Sequence, residues 1–260
     1  MLTIPASAVN AFPPQGPVLV VSPHFDDAAL SCSALLERGE PVHVLTIFSG
    51  APEPPRQGWW DEHCGFASSA QSVPARRRED ENALAAGGHR LHLLDLLEQQ
   101  HFEGARAAAD ADRIAQAVRD WLAESGGGTV AVPAGAGWAP FWLPPRVAKK
   151  LREPRGPEPH HDHVFARDAV LAARLEDASL VLYEELPYMW GGSAARVARR
   201  SARAHGYRAE LAVIPVDREA KARRLAAYTS QIPYISPPEG RLDSPAVLPP
   251  AERYWRLRPR

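Results

Sequence analysis

Short apolar runs alternate along this chain with longer stretches whose apolar residues recur every three or four positions. Residues 17–22, 42–48, 90–94, 129–132, 179–183 and 208–213 read as strands. The first, Pro-Val-Leu-Val-Val-Ser, is apolar without alternation, as expected of a strand buried on both faces of a parallel sheet. Helical patterns fall between them, at 28–38, 75–86, 105–124, about 163–175, about 193–205 and 218–229. In 105–124, Ala111, Ile114, Val118, Trp121 and Leu122 share one stripe, and Gly126-Gly127-Gly128 closes the helix. Asp217 is placed to cap the last helix. Strands alternating with helices require crossover connections, so the expected fold is a single-domain α/β architecture with a mostly parallel sheet flanked by helices. Active sites in such sheets lie at the carboxyl ends of the strands. The polar clusters of this chain stand where the first and fourth strands stop.

Composition narrows the functional classes. Hydrophobic residues make up 45 % and charged residues 23 %, which is ordinary globular composition and excludes collagen, coiled coil and wholesale disorder. Lys plus Arg number 30 against 31 Asp plus Glu, so no global charge favours a nucleic-acid or anionic-membrane partner. No apolar run approaches the ~20 residues of a membrane-spanning helix. Residues 1–17 carry no Lys or Arg and are broken by Pro5, Pro13 and Pro14, unlike a signal peptide. Cys32 and Cys64 are too few for a disulfide scaffold, which points to the cytoplasm. The 26 prolines gather at 13–17, 52–55, 140–159 and 233–250, marking long ordered loops and a wrapping C-terminal segment over about 230–260. Residues 1–260 are therefore read as one domain.

The first polar cluster is Ser22-Pro23-His24-Phe25-Asp26-Asp27. In a tight strand-to-helix turn, positions three apart point the same way, so His24 and Asp27 can grip one ion with Asp26 facing the space beside it. A helix cap is the alternative use of either aspartate. The second cluster is His160-His161-Asp162-His163, at the start of the helix after the fourth strand. A solvated His-rich turn is the alternative there. Together the clusters supply the shell of a catalytic zinc, three protein ligands with an open position for water: His24, Asp27 and one histidine of the second group. Side chains left over for proton transfer suit a hydrolytic site better than a structural one.

Pro-His-x-Asp-Asp after the first strand and His-x-Asp-His after the fourth resemble the PIG-L/LmbE-like zinc-dependent deacetylases. The resemblance covers about residues 17–185 and is supported by Arg76-x-x-Glu79 and Leu94-Asp95-Leu96. It implies a Rossmann-like fold, one Zn2+ held by His24, Asp27 and His163, and Asp26 as general base. His160 then stabilises the oxyanion or protonates the leaving amine, and Asp162 orients His160. The implied reaction removes an acyl group from an N-acetylglucosamine-type amine on a small molecule. Phe25 and His161 stand where many members have proline, which leaves a register with His161 as ligand open. Glu158-Pro159 occupy the place where some members carry a carbonyl-polarising tyrosine.

Substrate contacts are expected from loops 51–74 and 134–159, which carry Trp59, Trp60, Trp138 and Trp142. These tryptophans either line a pocket rim or staple the loops to the core. Arg76 and Asp95 resemble the family's sugar-holding positions. An amidase acting on a thiol conjugate or natural-product amide is the nearest alternative. A metal-dependent nucleotide-sugar transferase is an alternative of another class, but the chain has no glycine-rich phosphate loop after its first strand.

Overall fold

The computed structural model describes residues 16–135, 160–188 and 194–260. Its seven-stranded sheet comprises β1 (Val18–Ser22), β2 (His43–Thr46), β3 (Arg90–Leu93), β4 (Gly128–Pro133), β5 (Ala178–Tyr183), β6 (Tyr207–Pro215) and β7 (Ala251–Pro259). The strand order is β3-β2-β1-β4-β5-β7-β6. The first five strands pair in parallel, and β7 pairs antiparallel with both β5 and β6. Every residue of β1 is buried, as its continuous apolar run requires.

Helices among the described residues cover both faces. They are α1 (Asp27–Ser31), α2 (Ser33–Leu36), α3 (Trp59–His63), α4 (Ser69–Ala85), α5 (Ala108–Ser125), α6 (His161–Ala172), α7 (Ala194–Ala204), α8 (Arg218–Leu225) and α9 (Ile232–Ile235). The stripe of α5 packs with α6 and α7 on one face, where Ile114, Val118 and Trp121 meet Val130, Val170 and Trp255. Leu35, Leu36 and Leu84 pack on the other face against Val18, Val20 and Val44. Gly126 ends α5 in the left-handed conformation (φ 70°), and Asp217 caps α8 by accepting the Ala220 N–H at 3.0 Å.

Three elements differ from the pattern-based expectation. The helix expected over 28–38 breaks at Cys32, whose φ of −127° separates α1 from α2. The 51–74 segment is not all loop: it holds α3, and α4 begins at Ser69 with Pro74 inside its first turns. The C-terminal segment does not merely wrap, because its last residues are β7, inserted between β5 and β6 with Trp255 opposite both Leu182 and Leu211. The charged residues Glu252, Arg253, Arg256 and Arg258 and the prolines before Ala251 hide this strand from a hydrophobic pattern.

Candidate metal centre and active site

The turn after β1 is built by its own side chains. The Ser22 hydroxyl donates to the His24 carbonyl at 2.7 Å and accepts the Ala28 N–H at 3.1 Å. Asp27 Oδ2 accepts the His24 N–H at 2.8 Å, which folds the start of α1 back over the strand end. The same oxygen lies 3.2 Å from His24 Nδ1, so the three-residue spacing does place both donors on one point. Asp26 stands at the head of α1 without making a side-chain cap.

The third donor arrives from α6. His160 is its N-cap residue, and one turn in, His163 Nε2 reaches 3.3 Å from Asp27 Oδ2 and 3.3 Å from His24 Nδ1. A tetrahedral ion with bonds of about 2.0–2.2 Å has ligand-to-ligand edges of about 3.3–3.6 Å, so these three atoms fit a zinc-sized cation. His161 is exposed, whereas His163 is fully buried. His160 stands beside the triangle, its ring centroid 4.7 Å from His24 and 4.9 Å from His163. One nitrogen from each of His24, His160 and His163 falls within 4.8 Å of the others.

The local field calls for positive charge. Burial alone would depress His24, but hydrogen bonds to Asp162 and Asp27 outweigh it and raise the imidazole to about 10. Burial likewise opposes the charge on His163, which Asp27 and Glu185 nonetheless raise to about 9. Burial also works against the Asp27 anion, yet His163 and His24 hold its carboxyl well below the usual range. Burial and the neighbouring Asp27 charge raise Asp26 to about 6, with Arg76 and His24 opposing. Burial and the charges of His24 and His163 push His160 well below its ordinary value. A divalent cation supplies at one point the charge that two imidazoles otherwise share.

Residues 19–137, which include the His24–Asp27 turn, match the family model for GlcNAc-PI de-N-acetylase, PIG-L. Over these residues the chain is similar to the PIG-L family. The 2'-N-acetylparomamine deacetylase of Streptomyces fradiae is 30 % identical over 212 residues, which are 74 % of this chain and 64 % of that protein's length. The zinc-inhibited form of teicoplanin deacetylase Orf2 superposes with a TM-score of 0.70 at 22 % identity, covering 94 % of this chain and 98 % of that one. The A40926 pseudoaglycone deacetylase Dbv21 gives 0.67 at 23 % identity, over 94 % and 98 % of the two chains. These two structures establish likeness of fold.

The orienting contacts differ from the expectation in one respect. Asp162 does not hold His160: its Oδ2 lies 3.1 Å from His24 Nε2, and the same oxygen accepts the Gln99 N–H at 3.0 Å. The cause is helical direction, since Asp162 sits two residues past the N-cap and its side chain turns toward β1 and the segment after β3. His160 Nδ1 makes no hydrogen bond among the described residues. Two supporting groups escaped the motifs altogether. Glu185, just past β5, accepts the Gly135 N–H at 2.9 Å and lies 3.4 Å from His163 Nδ1. Arg106 donates to Asp162 Oδ1. Carboxylates that hold the second nitrogen of a ligating histidine fix its tautomer and direction.

The expected substrate residues divide. Arg76 is buried and paired with Glu98 at 2.5 Å, close enough to Asp26 to lower its pKa. Asp95 is exposed, in the left-handed conformation (φ 55°), with its N–H bonded to the Ser49 hydroxyl at 3.0 Å. Trp60 is a staple: its indole donates to Gln231 at 2.8 Å, and its N–H donates to Gln100 at 3.0 Å. Trp59 beside it is 65 % exposed, its ring 5.5 Å from that of Trp60. Trp138, Trp142 and the Glu158-Pro159 pair lie outside the described residues. Tyr188, one residue past a Leu186–Pro187 turn, brings its ring to 5.4 Å from His163 and 6.0 Å from His160.

Proposed function

We propose that this chain is a zinc-dependent N-deacetylase that removes acetyl from an amino sugar carried on a glycosylated small molecule. The observation that carries the reading is the mutual 3.2–3.3 Å spacing of His24 Nδ1, Asp27 Oδ2 and His163 Nε2, with the uncapped Asp26 carboxylate beside them. His24, Asp27 and His163 would hold the ion, which supplies a Lewis acid for an amide carbonyl and acidifies water. Asp26 accepts a proton from the attacking water as oxygen adds to the amide carbon. His160 hydrogen-bonds the developing oxyanion. The C–N bond then breaks, and the proton held by Asp26 passes to the departing nitrogen, leaving acetate and a free amine. Asp162 and Glu185 hold His24 and His163 in register throughout.

The substrate class follows from the relatives, whose names specify 2'-N-acetylparomamine, teicoplanin and the A40926 pseudoaglycone. Arg76, Asp95 and Trp59 are the described residues assigned to the sugar and what is attached to it, in a chain acting as one domain. Its cysteines are free, in keeping with work in the cytoplasm. Acetate release from a panel of free N-acetylglucosamine, an N-acetylated aminoglycoside and an N-acetylglucosaminyl glycopeptide tests the reading, with and without chelator. Release from a glycosylated member that stops with chelator and returns with zinc is expected. No release from any member at full zinc occupancy would sink it. Trp59→Ala should raise KM for the large substrate and leave that for free N-acetylglucosamine unchanged; equal losses would reduce Trp59 to a loop support.

A further inference from the structure

Arg106 lies in the irregular segment before α5, in a run of small residues that gives no motif. Its side chain is nevertheless only 5 % exposed. The guanidinium carbon sits 3.9 Å from the Phe48 ring centre and 4.7 Å from that of Phe102. Nη2 donates to the Leu97 carbonyl at 2.8 Å and also to Asp162 Oδ1, to which Nε donates at 3.2 Å. Asp162 is fully buried, and both of its oxygens are doubly engaged: Oδ1 by Arg106, Oδ2 by the Gln99 N–H and His24 Nε2.

We propose that Arg106 is a positioning residue for the metal centre, acting through Asp162 on His24. With both donors of Arg106 on Oδ1, the carboxylate plane cannot turn, and Oδ2 is kept on His24 Nε2. When a cation takes the point shared with Asp27 Oδ2 and His163 Nε2, Nδ1 gives it a lone pair, and Nε2, facing the Asp162 acceptor, keeps the proton. Phe48 completes the device. One of its neighbours is the stacked guanidinium and another is the His24 ring, 5.9 Å away between centroids, so arginine and ligand are set against the same side chain. Lysine keeps the charge but has neither the planar stacking surface nor the paired donors. Without them Oδ1 loses its partners in a dry site, and the carboxylate turns to find others.

The inference rests on His24 being a ligand, and the test separates the two. Zinc affinity is measured on the metal-stripped full chain by competition with a chromophoric chelator, with no substrate present. Arg106→Lys should weaken zinc about 10–100-fold, the range for losing a support of a metal-binding histidine. In an Asp162→Asn background the same change should cost less than about twofold, because the route to His24 is already cut. Arg224→Lys removes an equally buried arginine, one bonded to the Ala83 carbonyl and Glu37, and should lower Tm without changing zinc affinity. Equal weakening by Arg106→Lys in both backgrounds, or less than twofold loss in the wild-type background, would overturn the positioning role. His24→Ala should abolish tight zinc binding; retained wild-type affinity would remove the ligand reading and this inference with it.

Discussion

Replacing Asp26 by asparagine isolates proton transfer from everything else in the site. The carboxylate is buried, 8 % exposed, yet it caps nothing, and the donor triangle is formed by its neighbours His24, Asp27 and His163. Asparagine has the same shape, so backbone and donor triangle have no reason to move. One like charge beside Asp27 disappears, so Tm should hold or rise. What is lost is the acceptor for the water proton and the donor for the amine. General acid–base groups contribute about 10²–10⁴ in rate, equivalent to about 3–5 kcal/mol of barrier. The expected result is a kcat for acetate release lower by that factor, with KM and zinc stoichiometry unchanged. Initial rates at saturating glycosylated substrate, metal content and thermal melts on one preparation measure all three. A variant keeping more than about a tenth of wild-type kcat at full zinc occupancy would refute the role of Asp26 as base.

Three further outcomes probe the frame that carries the site. A Cβ on Gly50 would lie 2.5 Å from the Asp95 carbonyl oxygen and 3.1 Å from that of Leu96, both backbone atoms. Gly50→Ala should therefore cost about 1–3 kcal/mol in urea unfolding, and an unchanged midpoint would show that the strand end yields freely. Lys221→Met strips the buried ammonium from Glu252, 2.6 Å away, and should cost about 3 kcal/mol, whereas Lys221→Met with Glu252→Gln should recover part of it; a more costly double variant would contradict the pairing argument. Burial and then the charge of Arg224 lower His89 to about 4, and its Nδ1 accepts the Val42 N–H at 3.2 Å, a bond open only to neutral imidazole. The stability this gives is complete above about pH 6.5 and is lost as pH falls toward 4, since the unfolded chain takes the proton first. With solvent screening allowed for, the loss is about 2 kcal/mol, and His89→Asn should flatten that limb of the acid-unfolding curve; identical curves would exclude His89 as its source.

The parts of this molecule legible in its sequence are those with short-range causes. The strand β1, the turn that faces His24 and Asp27 together, the Gly126 stop and the Asp217 cap all depend on residues within one or two turns of each other. The helix start at His160 placed His163 near the site for the same reason, one turn in. Contacts made across the chain were not legible. Asp162 was expected to serve a histidine two positions away and instead serves His24, 138 residues distant. Glu185 looks in sequence like one of two acids after a strand, and Arg106 like a solvated arginine in the first turn of the 105–124 helix. Only their burial and partners separate them from surface charges. Strand β7 is illegible in the sequence because Glu252 and its neighbouring arginines break an apolar pattern, while the fold neutralises Glu252 with Lys221, the Ser33 and Ala34 N–H groups and the Tyr254 hydroxyl.

The strand order explains why these distant residues meet. After β1 the chain builds β2 and β3 outward on one side, and then β4 returns to the other flank of β1, followed by β5. Connections leaving β1 and β4 therefore diverge to opposite sides, and a crevice opens between the two carboxyl ends. His24 and Asp27 leave from β1, and His160 and His163 begin the helix between β4 and β5. Glu185 follows β5, and Gln99 follows β3. No helix or loop alone could bring Asp26, the donors of His24, Asp27 and His163, and the carboxylates of Asp162 and Glu185 to one buried point, because adjacent residues of one helix diverge by about 100°. The parallel sheet does so by aligning the carboxyl ends of β3, β1, β4 and β5 along one edge. The donor triangle is thus a consequence of topology, and the local turns choose which atoms occupy it.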